Sequence, residues 1–191
     1  MAQPYSARSR AIEPFHVMAL LARANELQAA GHDVIHLEIG EPDFTTAEPI
    51  IKAGQAALSA GKTRYTAARG IPELRGAISG FYQQRYGLDI DPERIMITPG
   101  GSGALLLTSS LLVDPGKHWL LADPGYPCNR HFLRLVEGAA QLVPVGPDMR
   151  YQLTPDLVER YWDQDSVGAL VASPANPTGT VLSRDELAGL S

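Results

Sequence analysis

The chain has 191 residues, of which 45% are hydrophobic and 19% charged, and its formal net charge is −5 at pH 7. This composition is typical of a soluble globular protein, and the acidic balance argues against nucleic acid as a partner. No apolar run approaches a membrane span, and the single cysteine, Cys128, excludes an internal disulfide framework and fits a reducing, cytoplasmic compartment.

Helical and extended patterns follow one another along the first hundred residues. The apolar spacing of "FHVMALLARANELQAA" predicts a helix over residues 15–30, and "DVIHLEIG" predicts a strand over residues 33–40. Thr45 and Glu48 have the spacing of a capping box at the start of the next helix. Pro72 lies in the first turn of a further predicted helix, "IPELRGAISGFYQQRYG".

From residue 94 onward, short apolar strands alternate with helices. The predicted strands are "RIMIT", "HWLLAD", "AQLVPV" and "VGALVAS", and a helix follows each of them. Thr154 caps the third of these helices, and Ser183 with Glu186 caps the last. This alternation predicts an α/β fold, with a mostly parallel sheet covered by helices on both faces. The last helix is cut short at Ser191, so we expect a truncated chain.

A glycine-rich turn joins the first of these strands to its helix, in "RIMITPGGSGALLL". Gly100, Gly101 and Gly103 let the backbone approach a ligand closely, and the amino end of the helix presents free N–H groups that suit a phosphate. Ser102 adds a hydroxyl donor. A tight connector that binds nothing is the alternative. The spacing matches neither the G-x-G-x-x-G nor the P-loop signature.

Two loops follow the carboxyl ends of predicted strands, where open α/β sheets bind ligands. In "LLADPGYPCN", Tyr126 lies in a loop stiffened by prolines, and its ring suits a planar ligand. Simple loop packing is the alternative. In "ALVASPANPTG", prolines flank Asn176, whose amide can donate to a phenolate-like oxygen. The alternative there is a turn asparagine that caps its own backbone.

The histidines do not predict a metal centre. His32 and His36 have helical spacing, but Gly31 has already ended the predicted helix. No G-x-S-x-G motif is present, which argues against a serine hydrolase. We therefore expect neither metal nor serine-hydrolase chemistry.

Five segments, taken in order, resemble the first half of class I/II aminotransferases in sequence and spacing: "GEPDF", "RYTAARGIPELRGAI", "TPGGSGALLL", "DPGYP" and "NPTG". These are fold type I enzymes that use pyridoxal 5′-phosphate (PLP). The resemblance runs from about Ile12 to the end of the chain, and "NPTG" is its most specific motif. It implies an incomplete PLP-binding large domain over residues 46–191, preceded by an N-terminal arm or small-domain segment over residues 1–45.

The resemblance implies cofactor roles for residues of three motifs. Gly100, Gly101 and Ser102 match the cradle for the cofactor phosphate, and Tyr126 matches the aromatic residue stacked on the pyridine ring. Asn176 matches the amide that hydrogen-bonds the 3′ oxygen and lies near the substrate carboxylate. Tyr126 and Asn176 are thus expected to touch the substrate too. A held amide keeps that oxygen anionic, which tunes the electronics of the cofactor.

Further matches concern the substrate and a second subunit. Gly40 matches a backbone contact to the substrate, and Tyr65 matches a residue that reaches the phosphate of the other subunit. The resemblance therefore implies a homodimer with shared active sites. The Asp123–Pro124 and Asn176–Pro177 bonds match positions where this family often has cis peptides.

No catalytic residue is expected within this chain. The Schiff-base lysine of the family lies well beyond "NPTG", and Lys52, Lys62 and Lys117 match no such motif, so we expect that lysine after Ser191. The implied function is transfer of an amino group from an amino acid to a 2-oxo acid, with no nucleic acid or membrane partner. Two alternatives stay open: a PLP-dependent lyase of the same fold, such as a carbon–sulfur lyase, and a non-catalytic PLP-binding regulatory protein.

Overall fold

The computed structural model describes residues 5–191, and contacts between Cα atoms divide the chain into two compact units. The first unit consists of Met1–His16 together with Gly101–Ser191, and the second unit is Val17–Gly100. The first unit is thus built from two separate stretches of sequence. The domain boundary predicted at residue 45 does not follow this division, and it stays a prediction about the whole protein.

Eight α-helices lie within the described residues. They are α1 (Ala7–Ala11), α2 (His16–Ala29), α3 (Glu48–Ser59), α4 (Pro72–Tyr86), α5 (Gly100–Leu112), α6 (Asn129–Leu135), α7 (Pro155–Tyr161) and α8 (Arg184–Gly189). From α2 onward, each of these helices was predicted from apolar spacing, capping residues or proline. No helix among residues 5–191 is long and apolar enough to cross a lipid bilayer.

Side-chain caps fix the start of α7 and α8. The Thr154 hydroxyl accepts a hydrogen bond from the Leu157 amide at 3.3 Å, so α7 begins where predicted. At α8, Ser183 Oγ accepts from the Glu186 amide at 3.3 Å, and the Glu186 carboxylate accepts from the Ser183 amide at 2.7 Å. These bonds confirm the predicted capping box, which supplies partners to amides that have none within the helix.

The first unit contains a three-stranded parallel sheet. Its strands β1 (His118–Asp123), β2 (Ala139–Pro144) and β3 (Ser166–Leu170) lie in the order β2-β1-β3. β1 pairs in parallel with both neighbours, and Leu121 lies opposite Leu170 of β3. The sheet confirms the predicted parallel α/β architecture. Because all three strands run in one direction, their carboxyl ends share one edge of the sheet.

Alternate residues of β1 belong to two separate hydrophobic clusters, because neighbouring side chains of a strand point to opposite faces. One cluster contains Leu120, Val143, Val145 and Leu153. The other contains Val113, Trp119, Leu121 and Leu133. Leu133 belongs to α6, and Leu157 and Val158 of α7 pack against the cluster around Leu120. Helices therefore cover both faces of the sheet, as predicted.

Gly168 of β3 packs directly against the indole of Trp119. A Cβ atom at Gly168 would lie 2.9 Å from Trp119 Nε1 and 3.0 Å from Cδ1. Such distances are shorter than van der Waals contact, so the Trp119 ring occupies space that any larger residue at this position would need. Trp119 is only 6% exposed, and its ring has little room to move away.

In the second unit, two arginines form ion pairs with a 3-10 turn at Pro92–Arg94. Arg69 precedes α4, and Arg75 lies in the first turn of that helix. Glu93 pairs with both Arg69 and Arg75, and Arg75 is 8% exposed. The guanidinium groups of Arg75 and Arg69 lower the pKa of the Glu93 carboxyl. Gly87 ends α4 in the left-handed conformation with φ of 69°, where a glycine carries no Cβ penalty.

Two predicted strands are wrong, since residues 33–40 and 94–98 form no strand. Residues 33–40 make no backbone hydrogen bond to another described segment, and Ile35 is 81% exposed. Residues 94–98 make one such bond to a distant segment, from the Ile97 amide to the Arg69 carbonyl at 3.1 Å. Apolar alternation marks a segment that suits a sheet, but a strand forms only where a neighbour completes its hydrogen bonds.

The predicted capping box at Thr45 is also wrong. α3 begins at Glu48, its N-cap is Ala47, and no side chain caps its first turn. Glu48 is therefore the first helical residue and lies too early to reach back to a capping hydroxyl. Pro49 sits in the first turn, where its fixed φ suits a helix and its missing N–H costs nothing. The proline sets this helix start in place of Thr45.

Candidate functional site

Tyr126 and Asn176 line one cleft at the carboxyl edge of the sheet in the first unit. Tyr126 follows the end of β1, and Asn176 follows the end of the adjacent strand β3. The cleft floor includes Leu121 and Leu170 of these strands. Its enclosed volume is about 50 Å³, well below the roughly 300–1,000 Å³ of a complete small-molecule pocket. The cleft of the described residues is thus too small to enclose a cofactor by itself.

The loop after β1 holds Tyr126 through local backbone constraints. The Asp123–Pro124 bond is cis, as the resemblance implies. A Cβ at Gly125 would lie 2.5 Å from the Ala122 carbonyl oxygen, so only glycine fits this turn. The Asp123 carbonyl accepts a hydrogen bond from the Val145 amide at 3.0 Å, which ties the loop to the end of β2.

The Tyr126 side chain is half-buried and contacts Phe15. The two ring centroids are 6.1 Å apart at an interplanar angle of 70°, which is a T-shaped arrangement that aromatic pairs favour. The neighbouring Cys128 side chain and partial burial raise the pKa of Tyr126, so its phenol stays protonated and neutral at physiological pH. Tyr126 is thus an uncharged, held aromatic ring at the cleft.

The loop after β3 is closed on itself around Asn176. The Ala175 amide donates to the Thr180 carbonyl at 2.8 Å, and the Gly179 amide donates to the Ala175 carbonyl at 2.7 Å. Ser173 Oγ accepts from the Leu182 amide at 2.9 Å and closes the loop at its base. The Asn176–Pro177 bond is cis, as the resemblance implies, and Ser173–Pro174 is cis as well.

The Asn176 amide makes no hydrogen bond with any residue of the described chain, and Asn176 is exposed. A turn asparagine that caps its own backbone would bond a nearby amide, so the structure does not support that alternative. The loop closes through backbone groups and through the Ser173 and Thr180 side chains. Both the donors and the acceptor of the Asn176 amide therefore remain available to a ligand.

Two side chains that the sequence did not single out hold this loop from outside. Gln152 Nε2 donates to the Ala172 carbonyl at 3.2 Å, the Thr180 carbonyl at 3.0 Å and Thr180 Oγ1 at 3.1 Å. Arg150 Nη1 donates to the Val181 carbonyl at 3.2 Å. No local pattern marks either residue, because their partners lie some 20 to 30 positions further along the chain.

Arg150 also pairs with Glu186 of α8. The Arg150 hydrogen bond is the largest of several influences that lower the pKa of the Glu186 carboxyl, to about 2. Arg150 and Tyr151 have φ values of 53° and 57°, a left-handed conformation that costs a non-glycine residue of the order of 1–3 kcal/mol. The main chain thus has an unfavourable conformation at two consecutive residues, at the point from which the Arg150 and Gln152 side chains reach the loop.

The glycine-rich turn forms the amino end of α5. Gly100 has φ of 71°, which favours glycine, and its carbonyl accepts a hydrogen bond from Thr98 Oγ1 at 2.9 Å. A Cβ at Gly101 would meet no atom within 4 Å, so packing does not require glycine there. Ser102 is exposed. The first amides of a helix have no partner within it, and they point outward from this end.

Gly40 and Tyr65 lie in the second unit. Tyr65 has a fully exposed side chain, with 108% relative exposure. A Cβ at Gly40 would meet no atom within 4 Å. The predicted roles of Gly40 in substrate binding and of Tyr65 across a subunit interface stay predictions. Among residues 5–191, no group of three or more His, Cys, Asp or Glu could hold a metal ion.

The side chains and backbone of the first unit fit the chemical parts of PLP. A held neutral aromatic ring suits a pyridine face, an amide with no protein partner suits an ionised ring oxygen, and a helix amino end with open space at Gly101 suits a phosphate. Tyr126 and Asn176 share the cleft, whereas Gly101 and Ser102 are not among the residues that line it.

Comparison with known proteins gives a consistent result. A family model described as aminotransferase class I and II matches residues 32–191. The chain is 39% identical over 180 residues to the valine–pyruvate aminotransferase of Mycobacterium tuberculosis, covering 94% of this chain and 46% of that protein. It is 42% identical over 173 residues to a (5-formylfuran-3-yl)methyl phosphate transaminase of Methanocaldococcus jannaschii, covering 91% and 45%. The chain therefore spans about half the length of the curated relatives it matches.

Solved structures agree. The crystal structure of an aminotransferase from Mycobacterium tuberculosis matches with a TM-score of 0.93 and 38% sequence identity, over 99% of this chain and 48% of that one. This similarity confirms the predicted fold class, including the expectation that the chain corresponds to about half of such a protein.

Proposed function

This chain belongs to the aminotransferase class I and II family, and we propose that the whole protein is a PLP-dependent aminotransferase, which moves an amino group from an amino acid to a 2-oxo acid. One observation of the site carries this proposal: Tyr126 and Asn176 line the same cleft. When bound, PLP supplies an electron-withdrawing ring that stabilises negative charge on the substrate carbon. The names of the relatives support the same reaction type.

Within this proposal, the residues of this chain bind and orient the cofactor. Tyr126 packs against the ring face, and its contact with Phe15 supports its orientation. The Asn176 amide donates to the ionised ring oxygen and also lies near the substrate carboxylate. Gly100, Gly101 and Ser102 bind the phosphate through first-turn amides and the Ser102 hydroxyl, where the helix dipole favours negative charge. Gly40 contacts the substrate through its backbone.

The residue that would bind the cofactor covalently and move the proton is proposed to be a lysine of the whole protein beyond Ser191. Lys117 is unsuited to that role. It precedes β1, at the amino edge of the sheet and opposite the cleft, and its Nζ donates to Asp165 at 2.8 Å. That contact with Asp165 raises the pKa of Lys117, so the amine stays protonated and is a poor nucleophile. Lys52 pairs with Glu48 in the second unit.

We further propose a cytoplasmic homodimer with shared active sites. In this arrangement Tyr65 of one subunit reaches the phosphate bound by its partner. The full exposure of the Tyr65 side chain within its own chain supports this role, because such a ring makes no packing contribution there. The single cysteine, Cys128, suits a reducing compartment.

The test uses the full-length protein. Purified protein should bind PLP, show a visible absorption band, and convert an amino acid to its 2-oxo acid in the presence of an acceptor. Valine with pyruvate, the pair in the name of the Mycobacterium tuberculosis relative, is the first pair to assay. Release of a thiol or ammonia instead of the 2-oxo acid would favour a lyase, and PLP binding without turnover would favour a regulatory protein.

Asn176→Ala tests the site within that assay. A hydrogen bond to a charged group is worth about 1.5–3 kcal/mol, so the PLP dissociation constant should rise by roughly 10- to 100-fold. Asn25→Ala, at an exposed position of α2, makes the same chemical change and should leave binding unchanged. Equal PLP affinity in the Asn176→Ala variant and the wild type would contradict the assigned role of the amide.

A further inference from the structure

Gln152 occupies an unusual position for a glutamine in this unit. It is 3% exposed, although glutamine is rarely fully buried unless its amide is bonded. It follows the left-handed residues Arg150 and Tyr151 and precedes Leu153, which is fully buried in the cluster around Leu120. Its main chain is therefore fixed on both sides, and its side chain also lines the cleft that contains Tyr126 and Asn176.

The Gln152 amide bridges the two arms of the loop that carries Asn176. Ala172 lies on the incoming arm, and Thr180 lies on the outgoing arm. Gln152 Nε2 donates to the Ala172 carbonyl at 3.2 Å and to the Thr180 carbonyl at 3.0 Å. The Thr180 carbonyl also accepts the Ala175 amide at 2.8 Å, next to Asn176. The buried Gln152 amide thus shares an acceptor, the Thr180 carbonyl, with the backbone hydrogen bond that closes the loop immediately before Asn176.

The chemistry of the partners requires an amide nitrogen at this point. Both carbonyls only accept hydrogen bonds, so the group between them must donate twice. An amide NH2 has two hydrogens and meets this need, whereas a carboxylate of the same shape has none and would repel both carbonyl oxygens. The Asn176 amide itself has no partner among the described residues, and its placement depends on the loop.

From this geometry we infer that Gln152 is a positioning residue, which holds the two arms of the loop together and so places the Asn176 amide at the cofactor ring. The inference rests on the proposed function, because it concerns the residue that would bind the ring oxygen of PLP. In this role Gln152 acts through the position of Asn176. It adds to the site a residue that neither the motifs nor the family comparison identifies.

The first test follows the loop itself in the full-length apoprotein, by hydrogen exchange at the Ala175 and Gly179 amides. Gln152→Glu removes both donors without changing the size of the side chain, and exchange at these amides should become roughly tenfold faster or more. Gln164→Glu makes the same change at an exposed glutamine of the same unit and should leave both amides unchanged. Unaltered exchange in Gln152→Glu would overturn the inference.

The second test uses PLP bound to the full-length protein. In Gln152→Glu, the PLP dissociation constant should rise roughly tenfold, the equivalent of one good hydrogen bond. The pH midpoint of the visible band should shift in the same direction as in Asn176→Ala. In the double variant, Gln152→Glu should add little to the shift of Asn176→Ala alone, because both act on one contact. A Gln152→Glu variant with a lower melting temperature but wild-type PLP affinity and a wild-type pH midpoint of the band would show a purely structural role and overturn the inference.

A milder variant covers the case in which Gln152→Glu does not fold. Gln152→Met has a side chain of similar length, removes both donors of the Gln152 amide and introduces no charge, so it should change exchange and PLP affinity in the same direction by a smaller factor. No change in either quantity would overturn the inference. Failure of the proposed function gives a different result, because the wild-type protein would then bind no PLP at all. If only this inference fails, the wild-type protein binds PLP and the Gln152 variants have wild-type PLP affinity and amide exchange.

Discussion

Gly101→Ala separates the needs of folding from those of phosphate binding. Gly101 is the second residue of α5, its φ lies outside the left-handed range, and a Cβ there would meet no atom within 4 Å. Alanine is a better helix former than glycine by about 0.8–1 kcal/mol in a helix interior. The substitution should therefore leave the free energy of unfolding unchanged or slightly higher.

The same substitution should weaken PLP binding. If the first-turn amides bind the phosphate, a methyl group at Gly101 lies in the space that the phosphate must enter. Losing one charge-assisted hydrogen bond costs about 1.5–3 kcal/mol, which corresponds to a rise of roughly 10- to 100-fold in the PLP dissociation constant. The measurement is a PLP titration of the full-length apoprotein, followed by absorbance.

Gly76→Ala is the matched control for this experiment. Gly76 lies inside α4, and a Cβ there would also meet no atom within 4 Å. It should gain stability by about 0.5–1 kcal/mol and bind PLP with wild-type affinity. Wild-type PLP affinity in Gly101→Ala, with normal stability, would refute the placement of the phosphate at the amino end of α5.

Three further predictions concern stability. Leu120→Ala removes a fully buried side chain of the central strand and should lower the free energy of unfolding by about 2–5 kcal/mol, measured by urea denaturation. Gly168→Ala forces a methyl group against the Trp119 indole and should cost about 1–3 kcal/mol in the same assay; an unchanged value would show that the ring moves freely. The pKa of Glu186 is about 2, lowered chiefly by Arg150, so its contribution to stability is complete above its ordinary pKa of 4.5 and is lost as the pH falls towards 2. Glu186→Gln should therefore reduce the loss of stability between pH 4.5 and pH 2 relative to the wild type.

The sequence predicts those parts of the fold whose causes are local. The capping box at Ser183 and the proline of α7 act over three or four residues, and the structure confirms both predictions. The segment at residues 33–40 has the apolar alternation of a strand, but no described neighbour pairs with it. Thr45 has capping chemistry, yet Pro49 sets the helix start at Glu48. Whether a strand forms depends on a neighbouring strand, and where a helix begins depends on which of two start signals is used. A short window of sequence does not contain this information.

The candidate site divides in the same way. Tyr126 and Asn176 could be placed at one edge from the order of predicted strands, because parallel strands bring their carboxyl ends together. Gln152 could not, because its hydrogen bonds join segments 20 and 28 residues away. A buried amide between two carbonyls has no signature in sequence spacing. Its function becomes visible only when the three-dimensional path of both loop arms is known.

The two-part composition of the first unit has a consequence for synthesis of the nascent chain. Arg134 Nη1 donates to the Ala11 carbonyl at 2.6 Å across 123 positions, and Arg8 pairs with Glu137 at 3.0 Å. α1 therefore leaves the ribosome long before its partners exist, while the uninterrupted stretch Val17–Gly100 emerges in between. Closing a flexible loop of this length costs about 4 kcal/mol plus a constant, and we expect α1 to dock only after Arg134 and Glu137 have been synthesised.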